Sequence, residues 1–545
     1  MELHPVDIAI VVLYLTALLL FGLWFGRFVK TEKDYFLAGR SLPFWAIGMS
    51  IVVSDIGAID FVSLSGASYK YGLAAANMDW IGTMPAILLA AFIFIPYYWR
   101  AGVYSVPEYF GRRYGEGVRL IQSFAWCLFL VVNLGAIFWA SAGMFDTLLG
   151  KDFWEPLISR DSDVSRKMIY VVIAAVFTGA YTISGGLAAV VYTDVVQMVI
   201  MFLGALLVLG IGLYHPEKGV GGLAALRDSL LDAGHSDHFT LFLPDDTKTP
   251  FPWTGVFFGL ALVQAPAYFM GNQAIVQRTL GARDEWTAKA GTLFAGFLKI
   301  FIPVLVVLPG LLALKLHPDL DDPETCFARL IEDLLPVGVR GIVFAGFLAA
   351  MMSSVDSVLS SAATLITRDF CVRLFSRPPG DRALLLLGRR VTLLLVFVGV
   401  LMALLVATKV FGGIYEFIQS TLAIVQGPTW ALLLIGMFWS RATPAGGLVS
   451  LLVGLATAIG LTVWQKVAIS LDAATPFTSE DPFMFIAFIA FVVTAGVLVV
   501  GSLLSRPKRP EELRGLVFRE SVRGEDVQDA LRDRDGGEGD AGRDA

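Results

Sequence analysis

Five serines and a carboxylate share one apolar stretch of this chain. GFLAAMMSSVDSVLSSAATLITRD, from Gly346 to Asp369, holds Ser353, Ser354, Ser357, Ser360 and Ser361 around Asp356. It is long enough to cross a bilayer, and serines are tolerated there because a hydroxyl can bond back to the carbonyl one turn earlier. A carboxylate at mid-span costs roughly 2.5–3.5 kcal/mol and needs a partner or water. Ala350, Ser353, Ser354 and Ser357 recur at helical spacing, so one face offers several small oxygens. Hard cations take oxygen ligands, and such a face can supply them. The same small residues also suit close helix packing.

A second segment carries matching chemistry. FWAIGMSIVVSDIGAIDFVSLSGASYKYG, Phe44 to Gly72, is apolar enough to span but is interrupted by Ser54-Asp55-Ile56-Gly57, with Asp60 one turn on. Broken helices of this kind line ion and substrate sites in transporters, where freed carbonyls coordinate cations. Asp79, Asp194 and Lys299 are further charges inside apolar runs. Together with Asp55, Asp60 and Asp356 they would cost on the order of 15 kcal/mol unpaired, so they form either a functional site or a structural ion-pair network.

The elements that position these residues are membrane spans. The chain is 56% hydrophobic and 16% charged, against about 25% charged for soluble domains. Its mean hydropathy is +0.70. Thirteen apolar segments are expected to cross the bilayer: about 6–28, 42–70, 74–99, 118–147, 168–183, 187–213, 253–277, 288–315, 339–366, 385–407, 411–438, 444–465 and 482–504. The first is too long for a cleaved signal peptide.

Basic residues fall on alternate loops: Arg27, Lys30, Lys33 and Arg40; Arg100, Arg112, Arg113 and Arg119; Arg278, Arg283 and Lys289; then Arg368 to Arg390 and Arg506 to Arg509. Threaded through thirteen spans, they mark one side as cytoplasmic, with the N-terminus outside and the C-terminus inside. The expected location is the plasma (inner) membrane, with the lipid bilayer as surroundings and no nucleic-acid partner. Residues 1–505 read as one transmembrane domain and 506–545 as a charged, disordered cytoplasmic tail. The net charge of −6 owes much to that tail. Cys127, Cys326 and Cys371 have no metal spacing, and no P-loop, zinc motif or nucleophile elbow is present. Neither an enzyme nor a cofactor is expected.

Several motifs then occur in register. YFLAGRS (35–41), GGLAAVVYTDVVQ (185–197), NQAIVQRTL (272–280) and AAMMSSVDS (349–357) resemble those of the sodium/solute symporter family. The run from Pro252-Trp253 through NQAIVQRTL to FLK at 297–299, with FIQS (417–420), is most similar to its sodium/glucose cotransporter branch. The resemblance covers about residues 6–505. It implies an all-α LeuT-type fold, with ten core helices in two inverted five-helix repeats between about 42 and 465. The second to eleventh spans would form that core, the broken segment at Asp55 being its first helix.

The resemblance also implies the sites. Sodium, the coupling ion, would sit between carbonyls of Val53 and Ile56 and the Ala350 carbonyl with the Ser353 and Ser354 hydroxyls. A second sodium site would use Asp194, Ser353, Asp356 and Ser357. Asp55, Asp60, Asp79, Tyr268, Asn272, Lys299 and Gln419 would contact the solute, with Phe269 lining its apolar face. Carboxylates, amides and a lysine beside an aromatic suit a polyhydroxylated molecule. Taken singly, Lys299 also fits an ion-pair anchor, Tyr268 and Phe269 fit packing residues, and Glu416 reads as solvated at the outer face.

The sequence departs from the sugar-carrier pattern at three positions. Asp55 and Asp60 stand where amide or imidazole side chains are usual, and Phe269 replaces a frequent tryptophan. The expected activity is sodium-coupled import of a small polar solute by alternating access, a sugar or polyol first. An amino acid, amine or other polar metabolite is the alternative, and a transporter-like membrane sensor is an alternative of another class.

Overall fold

The computed structural model describes residues 4–518 apart from 26, 58, 150–162, 375–379, 408–413, 476 and 514. We number the principal helices in chain order. α1 is Pro5–Phe25, α2 is Phe44–Asp55, α3 is Asp60–Ala76 and α4 is Met78–Ala101. α5 is Val106–Tyr114, α6 is Glu116–Leu149 and α7 is Asp163–Tyr214. α8 is Gly255–Gly271, α9 is Gln273–Leu280, α10 is Glu285–Leu316 and α11 is Val339–Phe370. α12 is Asp381–Val406, α13 is Ile414–Phe438, α14 is Pro444–Ser470 and α15 is Phe483–Leu504.

Among the described residues, ten helices are long and apolar enough to cross a membrane, or eleven if the pair α2 and α3, bent by 55°, is one span. The other two expected segments are also helical. The 253–277 segment is divided between α8, which is too short for that test, and α9. The 168–183 segment is the first of two helices within α7, which meet at Gly186; 187–213 is the second, as expected. Gly186 makes that junction with φ 58°, and a Cβ there would lie 2.9 Å from the Tyr35 carbonyl oxygen, so neither the backbone nor the space suits a side chain.

With α7 divided at Gly186, and α1 and the nine-residue α5 set aside, five spans run from α2/α3 to the end of α7 and five from α8/α9 to α13. Each half opens on a broken helix. In the first half the break follows Asp55, at Ile56 and Gly57; in the second it is Asn272, at φ −76° and ψ 118°. The Asn272 side chain accepts the Ala274 N–H at 3.0 Å and caps α9, a common use of asparagine at a helix start.

α11 lies at the centre, with 94% of its most apolar window buried, whereas α1, α14 and α15 present most of theirs outward, as lipid-facing helices do. α1 is tied down by Asp7, whose carboxylate accepts the Gly338 and Gly341 N–H groups at 2.8 Å each and so caps α11. α10 is capped by Asp284, whose carboxyl is held below the ordinary carboxylate range by the Thr287 N–H. Two expectations change here. Glu416 is buried, accepting the Tyr71 hydroxyl at 3.1 Å with Lys70 at 3.7 Å, because the chain around residues 70–72 packs over it. The start of the 506–545 segment is ordered: Leu513, Leu516 and Val517 are buried, and the Tyr109 hydroxyl of α5 donates to the Leu516 carbonyl at 3.2 Å. A short apolar run inside a charged segment supplies that anchor; residues 519–545 lie outside the described residues.

Candidate functional site

A cavity opens between α2/α3, α4, α6, α8, α10, α11 and α13, with a volume of about 150 Å³ open to the centres of water molecules. That is room for several water molecules or for one small polar solute. Asp55, Asp60, Asp79, Tyr268, Phe269, Lys299 and Gln419 all line it. Asn272 is not among its lining residues; its carbonyl oxygen is taken up in capping α9.

Lys299, on α10, is the basic group among the lining residues. Its ammonium donates to Asp55 and lies 2.8 Å from Asp79 Oδ1, so the break, α4 and α10 are joined by one buried ion triad. It stands 5.7 Å from the Phe269 ring centroid, within cation–π range. The Tyr268 hydroxyl is within bonding reach of Asp55 and Asn272.

Sequence reasoning missed four cavity residues. Ser63, Gln264, Tyr415 and Gln426 all line the space, and each has a buried side-chain oxygen with no hydrogen-bond partner. Buried polar atoms are nearly always paired, so several orphans on one cavity wall indicate an absent ligand or water. An inventory of uncharged amides inside apolar runs would have found Gln264 and Gln426; counting charges alone passed over them.

The break in the first core helix is built by Asp60. Its carboxylate accepts the Gly57 N–H at 2.9 Å, and the Asp60 N–H turns to the Gly57 carbonyl at 3.1 Å. In a continuous helix those two N–H groups would bond Val53 and Ile56. The break therefore diverts the usual donors from the carbonyls of Val53 and Ile56, the pair assigned to sodium. Opposite them is α11. A Cβ on Gly57 would fall 2.0 Å from Ser354 Oγ, with the Ala350 carbonyl at 3.8 Å. Ser354 Oγ is buried, borders the cavity and has no partner. Ser353 faces elsewhere, donating to Asp194 at 2.6 Å.

Asp194, Ser353 and Ser357 do come together, but around a group that the sequence had assigned to a cytoplasmic loop. Arg278 is 1% exposed and lies inside the bundle. It donates to Ser357, to Ser50 at 2.7 Å and to Ser54 at 2.5 Å, and lies 3.4 Å from Asp194. The break at Asn272 is the cause, since it lets α9 run inward. Asp356 is bonded to Thr182 of α7.

Comparison with known proteins agrees with this architecture. The model of the sodium:solute symporter family matches residues 35–454. The chain is 32% identical to sodium/myo-inositol cotransporter 2 of Oryctolagus cuniculus, over 95% of this chain and 79% of that one. It is also 32% identical to the sodium/glucose cotransporter of Vibrio parahaemolyticus, over 84% of this chain and 85% of that one. In structure it is similar to a Na+-coupled sialic acid symporter solved substrate-bound and outward-open, with a TM-score of 0.77 and 20% identity, over 93% of this chain and 99% of that one. The chain belongs to the sodium:solute symporter family. It is an integral multi-pass membrane protein of LeuT-type fold and a sodium-coupled symporter.

Proposed function

We propose that the protein imports a sugar or polyol with sodium across the plasma (inner) membrane by alternating access, its N-terminus outside and its C-terminus cytoplasmic. The observation that carries this reading is a cavity lined by four orphaned neutral polar atoms beside a helix break. Gln264, Gln419, Gln426, Ser63 and Tyr415 bond solute hydroxyls, with Lys299, Asp55 and Asp79 as a charged clamp and Phe269 against the apolar ring face. The named relatives, sodium/myo-inositol and sodium/glucose cotransporters, support a polyhydroxylated solute.

Sodium binds between the freed carbonyls of Val53 and Ile56, the Ala350 carbonyl and the Ser354 hydroxyl, with Ser353 joining if it leaves Asp194. A second ion at Asp194, Ser353, Asp356 and Ser357 has to compete with the Arg278 guanidinium, so one sodium per solute is the stoichiometry that the geometry favours. One ion is enough for accumulation. A tenfold gradient gives about 1.4 kcal/mol and 100 mV adds about 2.3 kcal/mol. Together they sustain roughly 500-fold accumulation of a neutral solute.

Ser354→Ala tests the ion site without knowledge of the solute. Sodium bound to the folded state raises its melting temperature by mass action. The native hydroxyl has no protein partner to lose, so the variant keeps its sodium-free stability and needs about tenfold more sodium for the same rise. A sodium response identical to that of the native protein would remove Ser354 from the site.

A further inference from the structure

The carboxylates of the cavity outnumber its cations. Asp55, Asp60 and Asp79 line it against Lys299. Lys299 is engaged by Asp55 and Asp79 together. Asp60 is held on the opposite side of the break by one backbone bond, from the Gly57 N–H to its Oδ2. Asp60 is only partly covered and borders the cavity, so its charge faces the space that a solute would fill. A carboxylate inside a membrane protein costs several kcal/mol unless an opposite charge or water meets it.

The Gly57 bond alone does not call for a carboxylate. It is made by a backbone N–H to an oxygen acceptor, and an asparagine carbonyl would accept it equally well. The charge of Asp60 is therefore surplus to shaping the break. Nor is the start of α3 enough to absorb it, since a helix terminus is worth only about 0.3–1 kcal/mol, up to ~2 when partly buried.

We propose that the solute of this cavity is a polyhydroxylated molecule carrying a protonated amine, a sugar or cyclitol bearing an ammonium group, and that Asp60 is the residue that pairs with the amine. The proposal rests on the reading of the cavity as a sugar or polyol site. The neutral wall and the charged wall are both needed to reach it. A simple amine would satisfy Asp60 but leave Gln264, Gln426, Ser63 and Tyr415 unpaired. A neutral sugar would satisfy those four and could hydrogen-bond the carboxylate, but would bring it no counter-charge. An acidic solute would place like charge beside Asp60. An ammonium on a hydroxylated ring meets both requirements, and the bond to a carboxylate is about twice as strong as a neutral one.

The test is direct binding to the full-length protein in lipid nanodiscs, with sodium present, at about pH 6.5, where an amine of pKa near 8 is protonated. Two sets of probes are compared: glucosamine with glucose and N-acetylglucosamine, and a monoamino-inositol with myo-inositol. N-acetylation keeps the nitrogen and removes the charge. In the native protein the amine of at least one set binds about tenfold or more tightly than its uncharged counterparts. In Asp60→Asn that ratio collapses to within about twofold, and the sodium-dependent rise in melting temperature shows that the variant is folded with its break intact. Uncharged counterparts that bind as tightly as their amines in both sets, or an amine preference that survives in Asp60→Asn, overturn the proposal and leave the cavity reading standing. Failure of every member of both sets to bind the native protein overturns the cavity reading and the proposal with it.

Discussion

Gly57→Ala abolishes the response to sodium. The new Cβ would lie 2.0 Å from Ser354 Oγ and 2.9 Å from Ser354 Cβ, distances that real Cβ atoms do not occupy. Rotating the hydroxyl does not relieve the clash, since the Ser354 Cβ itself stays in place. The break must therefore move away from α11, which separates the Val53 and Ile56 carbonyls from Ala350 and Ser354. Overpacking of this kind costs about 1–3 kcal/mol in stability. The effect on the ion is larger, because every proposed ligand pair is spread at once. The sodium-dependent melting shift is expected to disappear over a range that saturates the native protein. Gly57→Ala combined with Ser354→Gly separates the causes: it restores the packing and the lost stability while sodium binding stays weak. A single Gly57→Ala variant with native sodium dependence would show that the break and α11 do not share an ion.

Lys299→Ala is expected to be the most destabilising single change at the cavity. Its ammonium is buried and meets Asp55 and Asp79, with 2.8 Å to Asp79. Removing it leaves two enclosed carboxylates without a counter-charge, a loss of about 3–5 kcal/mol when one partner of a buried pair is deleted. Uptake is lost with it. Lys299→Ala with Asp79→Asn removes one of the stranded charges and should recover part of the melting temperature but not transport. Thermal unfolding of the single and double variants in the same lipid measures this. Equal melting temperatures for Lys299→Ala and the native protein would mean that the triad is already open to water.

The residues that break a pattern were the ones the sequence made legible. Ser54-Asp55-Ile56-Gly57 interrupts an apolar run, and the structure breaks the helix there. Lys299, Asp79 and Asp55 stood out as charges in spans and converge on one cavity. Residues whose role depends on a tertiary detail were not legible. Arg278 looked like one more basic residue of a loop, because nothing local says that a break six residues earlier turns α9 inward. Asn272 matched a solute-contacting position, yet its oxygen is spent on the cap that this same break requires. Gln264 and Gln426 carry no charge and hardly disturb hydropathy, so only a cavity and an unpaired oxygen reveal them. The two spans at 168–183 and 187–213 are separate helices that meet at Gly186, whose φ of 58° and ψ of −168° end one helix and start the next.

Coupled accumulation is the central claim, and flux in proteoliposomes tests it most directly. Purified protein is reconstituted, and tracer sugars, polyols and their amine-bearing forms are offered under an inward sodium gradient or under equimolar potassium. At least one tracer is predicted to accumulate above its outside concentration with sodium, to equilibrate when a sodium ionophore collapses the gradient, and to show no such rise in potassium. Accumulation of the same tracer in potassium, or the failure of every sugar and polyol tracer to accumulate with sodium, would contradict the account.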